Sequence, residues 1–365
     1  MIPVSKPYIG EEEINAVISV LKSGMIAQGP KVKEFEQKVA EICGAKYAVA
    51  VNSGTAALHA SLYAAGIKAG DEVITTPFTF VSTPNSIIMQ GAKPVFVDIS
   101  DDDFNISPTA VEKAATNKTK AIIPVDLYGQ PYDYTSIKEI AQKHSLKIIE
   151  DACQSIGAEF NGRKAGRLGD LGAFSFYATK NIATAEGGMI ITDNEEYAEL
   201  ARRFRHHGQS EQTRYQYYDL GYNYRMTDII AAIGIEQLKR INGWTEKRIK
   251  NAEYLTKRLS KISGIITPKV MGGRKHVFHQ YTIRVKDFKV SRDELAAYLK
   301  EKGIGAGIYY PKPLHMHPFY ERMGYKEGMF PNSEKASKEV LSLPVHSMLT
   351  EAELDAVASA IEEIQ

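Results

Sequence analysis

Lys180 is one of only two charged residues in the segment 172–188, the other being Glu186. An apolar setting lowers the pKa of a lysine because its ammonium form loses solvation, and the neutral amine can act as a nucleophile or a base. The hydroxyl of Ser175, close by in sequence, could hold a phosphate oxygen. The alternative is an ordinary loop lysine whose ammonium group reaches solvent.

Glu150 and Asp151 end an apolar run that begins at Lys147. Carboxylates at the carboxyl end of a parallel strand lie where open α/β sheets bind ligands. A buried carboxylate needs a cationic partner, and the protonated nitrogen of a heterocycle would be one. An ion pair with a structural arginine is the alternative.

Ser53, Gly54 and Thr55 stand between an apolar run of strand length and an alanine-rich helical stretch. The free N–H groups and the positive dipole end of a helix N-terminus suit a phosphate. A helix cap without any ligand would explain the same residues equally well.

These three signals together fit one cofactor, pyridoxal 5'-phosphate. It needs a phosphate cradle, an acid that faces its pyridine nitrogen and a lysine for the Schiff base. The sequence supplies one candidate for each requirement.

Short apolar runs alternate with amphipathic stretches through the first two thirds of the chain, which predicts a mainly parallel sheet covered by helices on both faces. The predicted strands are 47–52, 72–77, 94–99, 121–129, 147–152, 173–178 and 188–193. Helices are predicted at 11–23, 32–42, 55–66 and 134–144, and a long one at about 228–260, with a possible break at 242–243.

A strand at 279–285 and helices at 291–303 and 351–364 follow a loop at 269–275. We therefore predict two domains, a large α/β domain over residues 1–245 and a smaller α+β domain over residues 246–365.

The composition excludes several classes of protein. Lys and Arg number 45 against 44 Asp and Glu, which argues against a nucleic-acid binder or a membrane-surface protein. Two cysteines, Cys43 and Cys153, do not make a disulfide scaffold and fit a reducing compartment. No signal peptide and no apolar run of about 18 residues is apparent, so we expect a cytoplasmic protein.

Several motifs along the chain resemble those of the DegT/DnrJ/StrS family of pyridoxal-phosphate sugar aminotransferases. The similarity extends from the GP-x-V-x-x-FE opening at Gly29 to residues 342–357. The central motifs are NSGTAAL, TPFTFVST, PVDLYGQ, EDACQSIGA, FSFYATKN, EGGMI and GYNYRMTDI. The resemblance implies a fold type I enzyme that works as a homodimer with shared active sites.

The resemblance also implies roles for individual residues. Lys180 resembles the Schiff-base lysine and general base, and Asp151 the acid paired with the pyridine nitrogen. Gln154 resembles a residue near the phenolic oxygen, and Phe80 the aromatic ring stacked on the cofactor. The implied phosphate-binding residues are Ser53, Gly54, Thr55, Ser175 and, reaching the partner subunit's cofactor, Asn223.

Substrate residues are less clearly indicated; the candidates are Gln28, Arg225, Tyr309 and His315. Ala185, Asp126 and Tyr309 depart from residues frequent in the family, and these changes concern the substrate side. The histidines of HVFH (276–279) and HMH (315–317) could also ligate a metal, but no carboxylate or cysteine set completes a zinc site, and we expect no metal.

We therefore expect an aminotransferase that carries an amino group from L-glutamate to a nucleotide-linked keto sugar. Pyridoxamine phosphate would be the amino-carrying form of the cofactor. A keto-cyclitol such as an inosose is an alternative acceptor. A cofactor-binding regulator is an alternative from another class, although the lysine and the near-zero net charge count against it.

Overall fold

The computed structural model describes residues 1–210, 212–213 and 215–364. Its strands are β1 (Tyr47–Val51), β2 (Glu72–Thr75), β3 (Lys93–Phe96), β4 (Thr119–Ile122), β5 (Lys147–Asp151), β6 (Glu159–Phe160), β7 (Arg163–Lys164), β8 (Leu171–Ser175), β9 (Gly188–Thr192), β10 (Ile265–Ile266), β11 (Arg274–Lys275), β12 (Tyr281–Val285) and β13 (Val340–Leu343).

The helices are α1 (Glu11–Ser23), α2 (Pro30–Cys43), α3 (Gly54–Ala64), α4 (Ser82–Met89), α5 (Pro108–Ala114), α6 (Tyr134–His144), α7 (Glu195–Arg205), α8 (Asp228–Leu238), α9 (Ile241–Leu259), α10 (Arg292–Glu301), α11 (Pro318–Glu321), α12 (Pro331–Glu339) and α13 (Glu351–Glu362). The four helices predicted before residue 145 lie close to their predicted positions, at α1, α2, α3 and α6.

Seven strands form the main sheet in the order β1-β9-β8-β5-β4-β2-β3. Strand β9 pairs antiparallel with both β1 and β8, while the other pairings are parallel. Six carboxyl ends therefore meet at one edge of the sheet, together with the amino end of β9. This mainly parallel sheet confirms the predicted fold class.

Helices cover the main sheet on both faces because its strands are apolar on both sides. Val49 and Val51 of β1 pack in a cluster with α3, whereas Ala48 and Ala50 pack with α2 and α8. Asp228 joins the elements of the second face. Its carboxylate accepts hydrogen bonds from the backbone N–H groups of Gly29 (2.8 Å) and Val32 (3.0 Å) and so caps α2 from α8.

A second antiparallel sheet, β10-β12-β13, packs against α9, α10 and α13 in a separate hydrophobic cluster. Helix α9 continues without a break through residues 245 and 246, so the domain boundary at that position stays a prediction. The predicted long helix is divided between Leu238 and Ile241, a few residues before the expected break at 242–243.

The predicted strand at 121–129 is largely wrong, because β4 ends at Ile122. Pro124 has no N–H group to donate to a sheet ladder. The chain then turns at Tyr128, which has a φ of 59°, and leaves the sheet. Helices α4, α5, α7, α11 and α12 were not predicted.

Candidate active site

A cavity of about 670 Å³ opens at the sheet edge where the parallel strands end. It brings together segments from widely separated parts of the chain. The lining residues are Val4, Ser5, Ser53, Gly54, Thr55, Leu58, Thr79, Phe80, Ser82, Thr83, Asp151, Cys153, Gln154, Ser175, Tyr177, Thr179, Lys180, Glu186, His279, Gln280, Tyr309, Tyr310 and Leu343.

Lys180 lies in a tight turn after β8, and its backbone N–H donates to the carbonyl of Tyr177 at 2.8 Å. The side chain is half-buried in the cavity wall. Desolvation lowers the pKa of Lys180 below its usual range, while the neighbouring Cys153 and Asp151 oppose that change. The environment thus increases the fraction of the amine that is neutral and able to accept a proton.

Asp151 is the last residue of β5 and is almost completely buried. One carboxylate oxygen accepts a hydrogen bond from the hydroxyl of Thr83 at 2.7 Å. The other oxygen accepts one from the backbone N–H of Cys153 at 3.2 Å. Both donors hold the carboxylate in one orientation, in which it can face a protonated ring nitrogen in the cavity.

The N-terminus of α3 points toward the same cavity. The Ser53 hydroxyl accepts a hydrogen bond from the N–H of Ala56 at 3.1 Å and caps the helix. Gly54 has no room for a side chain, because a Cβ there would lie 2.8 Å from the Cβ of Ser175. Helix and strand end thus approach each other closely, and free N–H groups and hydroxyls face the same space.

Two further hydroxyl groups lie next to the N-terminus of α3, and together they form what we call the phosphate cradle. The side chains of Thr55 and Ser82 are hydrogen-bonded at 2.7 Å, and both line the cavity. A phosphate held here would lie at the end of the cavity that is formed by α3, β8 and the start of α4. The residues present therefore fit pyridoxal phosphate, because the cradle, Asp151 and Lys180 surround one cavity.

Gln154 and Phe80 also line the cavity. The side-chain oxygen of Gln154 (Oε1) accepts a hydrogen bond from the N–H of Tyr128 at 2.8 Å, and its side-chain nitrogen (Nε2) lies 3.5 Å from the hydroxyl of Tyr310. The ring of Phe80 is tilted against that of Tyr310, with centroids 6.5 Å apart, and remains 57% exposed. An exposed aromatic ring at a cavity mouth is available to stack on a planar ligand.

Four predicted site residues do not line this cavity. His315 is fully buried, and its Nε2 lies 2.9 Å from a carboxylate oxygen of Glu334. Arg225 contacts Nδ1 of His206 at 2.7 Å. Gln28 is half-buried and Asn223 is exposed. Tyr309, in contrast, lines the cavity.

Sequence reasoning missed several residues that the tertiary structure brings to the cavity. Thr83, which donates to Asp151, lies in the TPFTFVST motif, but no pattern distinguished it. His279 belongs to the HVFH segment that was considered as a metal ligand. Among the described residues, no group of three or more His, Cys, Asp and Glu side chains could hold a metal ion.

A second pair of carboxyl groups lies beneath Asp151. Asp126 and Glu150 are both fully buried. Burial raises the pKa of Asp126 to about 6, and burial together with the charge of Asp126 raises the pKa of Glu150 well above its usual range. Asp126 accepts a hydrogen bond from the Ser155 hydroxyl at 2.7 Å, which ties it to the turn that carries Gln154.

A mainly parallel sheet with a lysine, an acid and a phosphate cradle at its carboxyl edge defines a fold type I aminotransferase. The model of the DegT/DnrJ/EryC1/StrS aminotransferase family matches residues 7–362. The chain therefore belongs to this family, and it is an aminotransferase.

Individual relatives match over nearly their whole length. The chain is 46% identical to a pleiotropic regulatory protein of Geobacillus stearothermophilus, over all of this chain and 97% of that protein. It is 37% identical to GDP-perosamine synthase of Caulobacter vibrioides, over all of this chain and 98% of that protein.

The structural comparison agrees with the family assignment. The pyridoxal-phosphate form of a putative sugar aminotransferase of Streptococcus pneumoniae superposes with a TM-score of 0.94 at 30% identity, covering all of this chain and 99% of the other. In the described part of this chain, no helix is long and apolar enough to cross a membrane.

Proposed function

We propose that this enzyme transfers the amino group of L-glutamate to the ketone of a nucleotide-linked keto sugar, with pyridoxal phosphate as cofactor. The observation that carries the proposal is that Lys180, Asp151 and the N-terminus of α3 all line one cavity. The similarity to GDP-perosamine synthase supports a nucleotide sugar as the acceptor.

The bound cofactor would supply an electron sink for the carbon that exchanges its amino group. Asp151 would hold the pyridine nitrogen in its charged form, because its carboxylate is buried and already oriented by Thr83. Lys180 would take the proton from the substrate carbon and deliver it to the cofactor, and would carry out the reverse transfer with the keto substrate, a task that favours a base whose pKa is lowered toward neutrality.

The phosphate would be held by Ser53, Gly54, Thr55 and Ser175. Phe80 would cover one face of the ring, and Gln154 would face its phenolic oxygen. These interactions fix the cofactor in one orientation, so that the same lysine can serve both half-reactions. Pyridoxamine phosphate would carry the amino group between them.

An absorbance titration of the holoenzyme with L-glutamate alone tests the first half-reaction. We expect the visible band of the lysine-bound cofactor to decline as 2-oxoglutarate appears. Lys180→Ala should abolish both changes, whereas Lys118→Ala, at an exposed lysine remote from the cavity, should leave them intact. A bound cofactor that glutamate does not alter would contradict the proposed donor.

The second half-reaction needs an acceptor screen. We would supply UDP-, dTDP- and GDP-linked 4-keto-6-deoxyhexoses, their 3-keto isomers and scyllo-inosose to the glutamate-treated enzyme. Recovery of the visible band with a nucleotide sugar supports the proposal, whereas recovery with inosose alone would favour a keto-cyclitol aminotransferase.

A regulatory role is the second candidate, favoured by the relative named as a pleiotropic regulatory protein. It predicts a bound cofactor without turnover of any keto substrate, together with DNA binding at physiological salt. Turnover of a sugar nucleotide would argue against regulation as the main function of the protein.

We also propose a homodimer in which Asn223 reaches the partner subunit's phosphate site. Asn223 is exposed and lies outside the cavity of its own chain, which supports a role in trans. Mixed dimers of Lys180→Ala and Asn223→Ala chains should regain activity, because one of their two sites then has both native residues. No recovery after subunit exchange would argue for a role within one chain.

A further inference from the structure

His279 lines the cavity with Lys180 and has no role in the function proposed above. It enters the cavity wall from the loop before β12, about 100 residues after Lys180 in sequence. Its side chain is half-buried. The question is which chemistry this imidazole offers to a bound substrate.

The main chain around His279 is held on two sides. The guanidinium of Arg248 donates to the carbonyls of Phe278 (3.0 Å) and His279 (3.4 Å). On the other side, the N–H of Val277 donates to the carbonyl of Gly129 at 3.0 Å, and the N–H of Gln280 donates to that of Tyr128 at 3.2 Å. The imidazole is therefore presented from a fixed backbone.

The hydrogen bonds also assign the tautomer. Asn181 donates its amide N–H to the carbonyl of Val277 at 3.4 Å, which directs its oxygen away from that carbonyl. Nδ1 of His279 lies 3.3 Å from this Asn181 oxygen. Since the oxygen can only accept, Nδ1 is the protonated nitrogen and Nε2 carries the lone pair.

The charge state of the ring agrees with this assignment. Burial lowers the pKa of His279 well below its usual range, and the positive charges of Lys180 and Arg248 lower it further. The imidazole is therefore neutral at physiological pH. Its Nε2 can accept a hydrogen bond and cannot donate one.

An acceptor of this kind discriminates between the two substrates. The carboxylates of glutamate are themselves acceptors and gain nothing from Nε2, and its one donor, the amino group, is the group that reacts with the cofactor. Each hydroxyl of a keto sugar, in contrast, has a proton to donate. Lys180 is the only Lys or Arg among the lining residues within the described ranges, so charge alone selects little here.

We propose that His279 is a specificity-determining residue whose Nε2 accepts a hydrogen bond from a hydroxyl of the keto substrate bound beside Lys180. The inference depends on the proposed transfer to a polyhydroxylated ketone. It assigns His279 to the second half-reaction and leaves the glutamate half-reaction independent of it.

Two substitutions separate the two nitrogens of the ring. His279→Asn keeps an N–H that can donate to Asn181 but has no atom at the position of Nε2. His279→Gln extends an amide oxygen to about the position of Nε2 and restores an acceptor. The pair thus tests the acceptor rather than the mere presence of a histidine.

With the keto-sugar nucleotide that the wild-type enzyme accepts best, we expect His279→Asn to lower kcat/KM about 5- to 100-fold, the range for an unpaired hydroxyl in a closed site. The rate of the glutamate half-reaction should remain within about threefold of wild type. His279→Gln should recover part of the loss. By calorimetry, the non-reactive parent hexose nucleotide should bind to His279→Asn more weakly than to wild type.

A substrate that lacks one ring hydroxyl sharpens the test. If the missing hydroxyl is the one that donates to Nε2, the wild-type enzyme should have a lower kcat/KM for the deoxy substrate than for the complete substrate. His279→Asn should have the same kcat/KM for both, because the interaction is already absent. Equal losses in both half-reactions, or an unchanged kcat/KM in His279→Asn, would overturn the inference.

The proposed function can fail separately. If wild-type enzyme reacts with glutamate but with no nucleotide sugar or inosose, both the acceptor class and the role of His279 are refuted. If a keto sugar is turned over and His279→Asn has no effect, only the role of His279 is refuted.

Discussion

The two sides of the cavity are built differently. One side, which we call the sheet wall, consists of residues 53–55, 151, 153–154 and 175 at the ends of β1, β5 and β8. The other, the loop wall, consists of residues 4–5, 279–280 and 309–310, which come from the N-terminal segment and from two later loops. Lys180 lies on the turn that follows the sheet wall.

Side chains of the sheet wall are held by buried hydrogen bonds. Asp151 receives the Thr83 hydroxyl at 2.7 Å inside the protein. The loop wall is mixed: the Ser5 hydroxyl reaches the carbonyl of Thr179 at 3.4 Å in an exposed position, whereas the main chain before His279 is held by a buried hydrogen bond from Arg248. Exposed contacts of this kind contribute less and change more easily.

This difference matches the two tasks of the enzyme. The cofactor is the same in every turnover, and a rigid sheet edge can fix it. The substrate differs among enzymes that use the same cofactor, and loops can vary without disturbing the sheet. The following predictions test whether the sheet wall is the more sensitive of the two.

Apart from loss of Lys180, the largest effect is expected for Thr83→Val, which acts on Asp151 of the sheet wall. The change removes the donor to a buried carboxylate while it keeps the side-chain volume. We expect a loss of about 1.5–3 kcal/mol in the free energy of unfolding of the holoenzyme in urea, because hydrogen bonds to charged groups are the stronger ones.

Thr116→Val is the matched control, because its hydroxyl also donates to a carboxylate, that of Glu72 at 3.0 Å, but in an exposed position. Its effect should stay within about 0.5 kcal/mol. Equal losses of unfolding free energy in the two variants would show that burial does not strengthen the hydrogen bond to Asp151.

Gly54→Ala should weaken cofactor binding by about 1–3 kcal/mol, because overpacking forces its neighbours to move. The added Cβ would lie 2.8 Å from the Cβ of Ser175 and 3.0 Å from the sulfur of Cys153. Titration of the cofactor-free enzyme with pyridoxal phosphate measures the change.

Gly243→Ala provides the control, since no atom outside its own helix lies within 4 Å of a Cβ there. Removing a glycine from helix α9 should stabilise the protein slightly and leave the dissociation constant of the cofactor unchanged. An unaltered dissociation constant in Gly54→Ala would mean that the cradle is looser than its geometry indicates.

The carboxyl pair beneath the sheet wall predicts a pH dependence of stability. Burial raises the pKa of Asp126 to about 6, above its value in the unfolded chain. The folded state therefore favours the protonated form. This contribution is fully present below pH about 4 and is lost as the pH rises through 6.

Asp126→Asn removes this titration. Between pH 5 and pH 8, we therefore expect the free energy of unfolding of the wild type to decrease by about 1–2 kcal/mol more than that of Asp126→Asn. Asp102→Asn, at an exposed carboxylate paired with Lys269, is the control and should retain the slope of wild type. Parallel curves for Asp126→Asn and wild type would refute the raised pKa.

The smallest effect is expected at Phe80, whose ring lies beside Tyr310 of the loop wall. Replacement by Leu keeps an apolar side chain and removes the stacking, which typically contributes about 0.5–1.5 kcal/mol. The cofactor's dissociation constant should rise about 2- to 13-fold. Phe319→Leu, at an exposed ring outside the cavity, should leave it unchanged.

Much of the sheet wall could be predicted from the sequence. Asp151 ends an apolar run, Ser53 precedes a helix, and Lys180 lies in a segment with almost no other charge. Each signal is local, because a strand end or a helix start is recognisable within a few residues. The parallel sheet then brings such ends to one edge.

The loop wall was predicted poorly for the opposite reason. Tyr309 was proposed and lines the cavity, but Tyr310 beside it and His279 were not identified as site residues. His315 was proposed and is buried against Glu334, outside the cavity lining. A histidine in a loop has the same local sequence signal whether it lines a cavity or packs in a core.

The sequence by itself thus determined the fold class, the family and most residues of the sheet wall, because these depend on periodicity and on short motifs. Only the tertiary structure decided which distant residues face them. It also decided that Asp126 and Glu150 are buried together, and that His279 is neutral and linked to Asn181. Such contacts join residues 24 to 98 positions apart, and burial and hydrogen-bond partners across that distance arise only when the sheet and the loops pack together.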